Sequence, residues 1–222
     1  MVSVIIVSYK VKYYIEQGLR SLYRSGQEIE VFVVDNASGD DTIEYLSARY
    51  PDVYYIANSE NVGFGRANNQ ALKLAKGKYV LFLNPDTIVA ERTIEGCVNL
   101  MESDAGVGAI GVRMQYSDGH FAPESRRSVP TPFVSFCKMS GLGRLFPNSK
   151  LFARYHLSYI DKDLACNIEV VSGAYMFVRK EALDKVGGFD ETFFMYGEDI
   201  DLSYRILKAG YRNCYLPLPI LH

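Results

Sequence analysis

The sequence predicts an α/β fold class: one doubly wound, mostly parallel sheet flanked by helices. Three observations predict it. Near-continuous apolar runs at Val2–Val7, Val31–Val34 and Val80–Leu83 show no strict polar alternation, as expected of strands covered on both faces. Segments with apolar residues at helical spacing separate those runs, which is the strand–helix alternation of a parallel sheet. Asp35-Asn36 and Asp86 fall just past two of the runs, at the sheet edge where open α/β sheets bind ligands.

The 222 residues with 48% hydrophobic content suit one domain that can bury a core without staples. A net charge of -2 gives no electrostatic footprint for nucleic acid, and no acidic tail is present. There are 17 Tyr and no Trp; tyrosines line many sugar sites, but most are expected to be packing residues. Cys97, Cys137, Cys166 and Cys214 form no CxxC pair, so reduced thiols of a cytosolic protein are expected rather than disulfides or zinc. The chain opens on a strand with no charged leader before it, unlike a signal peptide. No apolar run reaches the ~18 residues of a spanning helix. It stops at His222 straight after Leu-Pro-Leu-Pro-Ile-Leu, and a continuation of the protein beyond that point is expected.

After the first strand, Ile15, Leu19, Leu22 and Tyr23 mark a helix that Gly26 ends. The second strand closes on Asp35, and Ser38-Gly39-Asp40-Asp41 fits a capping box for a helix from Thr42 to about Arg49. Val53–Ile56 is a third strand. A helix with Ala67, Ala71, Leu74 and Ala75 runs to Gly77, and the strand to Leu83 follows. Next come a helix from about Glu91 to Met101 and a strand from Val107 to Val112. Residues 116–167 lose this periodicity, with four prolines among them. Arg126, Arg127, Lys138, Arg144, Lys150 and Arg154 alternate there with Phe133, Phe136, Phe146 and Phe152. That mixture suits a solvated lobe with short helices, or contact with lipid headgroups or an anionic lipid-linked acceptor. Order returns with a strand at Val170–Val178, a helix at Lys180–Val186, a helix with Leu202, Ile206 and Leu207 ending at Gly210, and a strand at Tyr211–Leu216 before a proline-containing tail.

Five places carry candidate chemistry. Asp86, on a loop stiffened by Pro85, suits a hard divalent cation held against phosphate, or a cap on the helix that follows. Asp35 and Asn36 suit a nucleobase edge or ribose, or simply satisfy turn amides. Asn61, Gly63 and Arg66 open a helix whose free amides suit phosphate, or form a tight capped turn. The pattern there is G-x-G-x-x-N after the third strand, so it is no dinucleotide fingerprint. Glu198, Asp199 and Asp201 put three carboxylates in a helix start, more than the helix dipole requires. The apolar Phe193–Gly197 stretch before them suits a desolvated general base. His222, one of three histidines, is either solvated or a partner to Asp86 on a metal.

Taken together, Val7-Ser8-Tyr9, Val34-Asp35-Asn36-Ala37-Ser38, Asn61-x-Gly63-Phe64-Gly65-x-x-Asn68, Asn84-Pro85-Asp86, Ser172-Gly173-Ala174 and Gly187-Gly188-Phe189-Asp190 through Tyr196-Gly197-Glu198-Asp199-x-Asp201-Leu202 resemble family 2 of the glycosyltransferases. These are inverting enzymes with the GT-A fold, and the likeness is greatest to the rhamnosyltransferase-type branch that builds bacterial surface polysaccharides. The resemblance covers the chain except about 116–165. It implies one domain over 1–222, with a nucleotide-binding half (1–112), an irregular insertion (113–169) and an acceptor and base half (170–222). It further implies that Ser8, Tyr9, Asp35, Asn36, Asn61, Gly63, Arg66, Asn84, Pro85 and Asp86 face a nucleotide-sugar donor, dTDP-rhamnose or a UDP-sugar. Gly173 and Ala174 would line the sugar and acceptor pocket, Asp199 would be the general base and Glu198 its runner-up. Asp86 and His222 would hold Mn²⁺ or Mg²⁺. Asn84-Pro85-Asp86 stands in place of a DxD motif and keeps only its last acid. The implied acceptor is a glycan or lipid-linked glycan, in the cytoplasm or at the inner membrane face with peripheral membrane contact.

Two other functions are weighed. A sugar nucleotidyltransferase needs a glycine-rich basic loop after the first strand, which Ser8-Tyr9-Lys10-Val11-Lys12 is not. A non-catalytic nucleotide-sugar-binding subunit fits the depleted acid motif but not the intact Glu198-Asp199 pair.

Overall fold

A computed structural model describes residues 1–222. Its centre is one nine-stranded sheet. The first half alternates as the sequence predicts: β1 (Val2–Ser8), α1 (Lys12–Tyr23), β2 (Ile29–Asp35), α2 (Thr42–Ser47), β3 (Tyr54–Ala57), α3 (Phe64–Leu72) and β4 (Tyr79–Leu83). After it come β5 (Ile88–Val89), α4 (Thr93–Ser103), β6 (Val107–Gln115), α5 (Pro132–Met139), α6 (Leu142–Leu145), β7 (Cys166–Ile168), β8 (Tyr175–Arg179), α7 (Lys180–Val186), α8 (Glu198–Lys208) and β9 (Arg212–Leu221).

Strand order is β3-β2-β1-β4-β8-β6-β9-β5, with β7 also on β9. Only β3-β2-β1-β4 and β6-β9 pair in parallel. β8 enters antiparallel to both β4 and β6, and β5 and β7 are antiparallel to β9. The sheet is therefore mixed, and its parallel part is confined mainly to the first half.

Alternate residues of each central strand feed two cores, which explains the unbroken apolar runs. Val4, Ile6, Leu81 and Leu83 pack with Ile15 and Leu19 of α1 and Ile94 and Cys97 of α4. Ile5, Val7, Val80 and Phe82 pack on the other face with Ala67 and Ala71 of α3 and Leu202 and Ile206 of α8.

Four local readings change. α3 stops at Leu72, leaving Leu74 exposed rather than on the apolar stripe. Residues 170–174 precede β8 as a loop, because Val170 bridges to Arg127 instead of joining the sheet's central ladder. No capping box forms at Ser38: its hydroxyl bonds the Asp35 carboxylate, and Asp40 instead accepts the Thr42 amide. Pro217 and Pro219 lie within β9, whose pairing with β6 shifts register between Val112 and Arg113. A register break tolerates the missing proline donors, so the strand continues to Leu221 and carries His222 to the sheet edge. No helix is long and apolar enough to cross a membrane.

Candidate active site

β4 delivers Asn84-Pro85-Asp86 to the carboxyl edge of the sheet. The Asn84 amide donates to the Ala174 carbonyl at 2.9 Å, and the Asn84 carbonyl accepts the Thr87 amide at 3.2 Å. This tight turn leaves Asp86 exposed. Asp86 does not cap α4, which begins at Thr93 beyond β5. β9 brings His222 to the same point: its amide donates to Gln115 at the end of β6 (2.9 Å). His222 Nε2 lies 3.6 Å from Asp86 Oδ1 and 3.2 Å from Asn84 Nδ2.

The donor set fits a small divalent cation. Cation–oxygen bonds of about 2.1 Å put neighbouring octahedral ligands roughly 3 Å apart, close to the observed carboxylate–imidazole spacing. No three His, Cys, Asp or Glu side chains gather at metal-binding spacing. Asp86 and His222 are therefore the two side chains that could hold such an ion here.

The second centre is the start of α8. Gly197, at φ +97°, turns the chain into the helix. Asp199 is buried, and both its oxygens are held by donors. Oδ1 accepts the Ile200 amide at 2.8 Å. Oδ2 accepts the Gly173 amide at 3.1 Å and the Arg127 guanidinium. A carboxylate has about four acceptor sites, so three contacts orient Asp199 and leave room for one incoming hydroxyl. Glu198 is buried beside it, and Glu198 Oε2 has no hydrogen-bond partner. Burial pushes the Glu198 carboxyl above the usual glutamate range; neighbouring Asp199 adds to this, while its own amide and Arg127 oppose it.

That shift has a defined sign. A carboxyl whose folded pKa is raised contributes stability at low pH that is lost as pH rises through the folded value. We therefore expect Glu198→Gln, which keeps the shape and removes the charge, to raise the unfolding midpoint at neutral pH. The gap to the parent should close near about pH 4, where an ordinary glutamate is already protonating. Thermal melts across pH check this, and an unchanged or lower midpoint at neutral pH contradicts it.

One dipeptide joins the two centres. The Gly173 amide holds Asp199, and the next carbonyl, Ala174, holds the Asn84 amide. Arg127 belongs to this arrangement, yet no local pattern in the sequence singles it out from its basic neighbours. The available signal is an Arg126-Arg127 pair followed by no Asp or Glu until Asp161.

The predicted donor residues divide. Tyr9 is exposed at the end of β1, open for stacking on a base. Ser8 is fully buried, its hydroxyl without a partner. Asp35 is buried and accepts the Ser38 amide at 3.1 Å; Ser38 Oγ in turn accepts the Lys10 amide at 2.8 Å. These bonds tie the β1 and β2 loops together. Asn36 uses both ends of its side chain within the protein: its amide donates to Asn61 Oδ1 at 2.7 Å, and its oxygen accepts from Asn58 and the Val62 amide, each at 3.1 Å. It braces the 58–63 loop rather than presenting free groups.

The α3 start is partly engaged within the protein. The Phe64 amide donates to the Phe194 carbonyl at 2.9 Å, and Arg66 pairs with Glu191 at 3.2 Å. Gly63 has φ +86°, and a Cβ there would meet the Phe194 carbonyl at 2.7 Å. Gly63, Phe64 and Arg66 pack the 189–194 segment that leads to α8, while Asn61 accepts from Asn36 and the Gly63 amide; these partners lie outside any helical or strand period.

A family model described as Glycosyl transferase family 2 matches residues 3–187. The chain belongs to that family. This glycosyltransferase chain is similar to the N-acetylglucosaminyl-diphospho-decaprenol L-rhamnosyltransferase of Mycobacterium tuberculosis, at 29% identity over 99% of the chain and 75% of the relative. It is also similar to the rhamnosyltransferase WbbL of Escherichia coli K12, at 28% identity over 98% of the chain and 81% of the relative. Among solved structures, the mannosyltransferase PcManGT from Pyrobaculum calidifontis, in complex with GDP-Man and Mn²⁺, aligns with a TM-score of 0.71 at 22% identity. Staphylococcus aureus TarS 1-349 with UDP aligns at 0.71 and 20%. The chain is covered fully in both cases but spans only 56% and 60% of those chains. These likenesses show the fold expected from the sequence, and the relatives agree with the rhamnosyltransferase-like branch.

Proposed function

We propose that the chain is an inverting glycosyltransferase that moves a sugar from a nucleotide-sugar to a hydroxyl of a glycan or lipid-linked acceptor. Its setting is surface polysaccharide synthesis on the cytoplasmic side of the membrane. Rhamnose from dTDP-rhamnose is the first donor candidate and a UDP-sugar the second. The observation that carries this reading is the Gly173-Ala174 link, with the Asp86–His222 pair on one side and the oriented Asp199 carboxylate on the other.

In this reading Tyr9 stacks on the base, and the Asp35–Ser38 loop shapes the nucleoside pocket. Asp86 and His222 would hold Mn²⁺ or Mg²⁺, which when bound neutralises charge on the diphosphate leaving group. Asp199 takes the proton of the acceptor hydroxyl as that oxygen bonds to the anomeric carbon. The bond from that carbon to the diphosphate breaks at the same time, and its electron pair leaves with the nucleoside diphosphate. One displacement inverts the anomeric centre, and no carboxylate nucleophile is needed.

A thermal-shift panel of dTDP, UDP and GDP with their sugars, with and without Mn²⁺ or Mg²⁺, tests the donor side. At about a hundred-fold excess over the dissociation constant, a ligand of the native state should raise the midpoint by about 5–10 °C. The largest shift is expected with dTDP-rhamnose plus metal. No shift with any nucleotide, with or without metal, would overturn the reading. Metal-dependent binding without transfer to any acceptor would favour a nucleotide-sugar-binding subunit.

A further inference from the structure

We propose that the outer side of the insertion, formed by α5, α6 and the chain onward to Leu151, is a docking surface for an anionic lipid bilayer. The proposal goes beyond glycosyl transfer and does not depend on it.

Phe133, Phe136, Met139, Leu145, Phe146 and Leu151 are all exposed, Met139 to 87% and Leu145 to 68%. Isolated exposed apolar residues need no explanation, but six within one short segment mark an interaction surface. The pattern on α5 is ordered. Val134 and Cys137 are buried, while Phe133, Phe136 and Met139 follow at three-residue steps along the solvent side of the helix. The helix thus uses a narrow face for the fold and presents a wide apolar face outward.

Charge identifies the occupant. Of the six Lys and Arg between Glu124 and Asp161, Arg126 is buried, Arg127 pairs with Asp199 and Arg154 pairs with Glu169, which leaves the exposed Lys138, Arg144 and Lys150 as the cations of the outer side, with no Asp or Glu in that stretch of sequence. Arg144 and Lys150 are exposed among the apolar side chains. Aromatic and aliphatic residues interleaved with cations match an interface of acyl chains beneath anionic headgroups. A second copy of the chain would bring two such positive surfaces together and be repelled.

The placement is consistent with a membrane-facing site. The inner side of the same segment sends Arg127 to Asp199, and its backbone bridges Val170. Thr131, which caps α5, lines a cleft of about 640 Å³ together with Phe193 and Gly197 at the start of α8. The docking surface and Arg127, the cation that holds Asp199, therefore lie on one continuous stretch of chain.

The test is co-sedimentation of the full chain with vesicles of phosphatidylcholine alone and of phosphatidylcholine with phosphatidylglycerol, without any sugar donor. Binding to the anionic vesicles is expected, weakened by salt. Phe136→Ser with Met139→Ser should lower the partition coefficient at least about ten-fold. Removing Arg144 and Lys150, as Arg144→Gln with Lys150→Gln, should lower it about five-fold per cation. The midpoint of thermal unfolding shows whether each variant folds, and either variant alone decides the question if the other does not. No binding to anionic vesicles, equal binding to neutral ones, or binding that both folded variants retain would overturn the proposal. So would self-association that these variants abolish in the absence of vesicle binding, which would assign the surface to a second copy.

Discussion

Asp199→Asn should lower transfer by about 10²–10⁴-fold, the usual contribution of a general base, while leaving nucleotide affinity intact. The amide keeps the volume of the carboxylate but has no basic oxygen pair for the acceptor proton. Its carbonyl oxygen can keep only some of the contacts to Arg127, Gly173 and Ile200. Asp199 shares no hydrogen bond or ion pair with Asp86 or His222, so donor binding provides an internal control. Full turnover in this variant would remove Asp199 from the mechanism and move the role to Glu198, which is its buried neighbour. Arg127 offers a second check on the same centre. Arg127→Lys keeps a cation but not the planar fork, so it should recover part of the kcat lost in Arg127→Gln with little change in donor KM. Equal kcat in all three proteins would mean that the ion pair serves the fold alone.

The second large effect is expected at the other end of the dipeptide. Asp86→Ala should remove metal-dependent nucleotide binding and weaken metal affinity by at least about ten- to a hundred-fold, since even outer-shell changes have effects of that size. The reason is the small number of protein ligands. Asp86 is the only acid in Asn84-Pro85-Asp86, and its one ionisable neighbour within 4 Å is His222. His222→Ala should act in the same direction but less, because an imidazole brings no charge to offset the cation. Titration with dTDP in the presence of Mn²⁺ or of a chelator measures both. Nucleotide affinity that is equal with metal and with chelator in the parent would argue against the metal assignment.

The parallel half of the fold was legible because a strand covered on both faces must be apolar throughout. Val2–Val7 and Val80–Leu83 read directly as β1 and β4. β5 and β7 were not legible: two or three residues cannot establish a period. Prolines normally end a strand, so the sequence predicts a short β9; the register shift against β6 accommodates Pro217 and Pro219, and the strand runs on to Leu221. In the candidate site, the positions of Asp86, Asp199 and His222 follow from strand ends and a helix start, and the roles proposed for them come from the resemblance. Asn36 lies in the expected loop and Arg66 in the first turn of the expected helix, but their side chains are occupied by Asn61, Asn58 and Glu191. Arg127 is 72 positions from Asp199, a separation at which neither helical nor strand periodicity carries information.

The Gly173-Ala174 link implies a division of labour along the chain. Because one dipeptide bonds both Asp199 and the Asn84 turn, a backbone shift at 173–174 would, in the proposed reaction, displace the leaving-group end and the base end as a unit. Sugar transfer is thus mechanically indivisible at that point. The loops after β1 and β2, tied to each other through Lys10, Ser38 and Asp35, share no such tie with it. Exchanging those loops for others should therefore re-address the enzyme to a different nucleotide while the transfer chemistry stays in place.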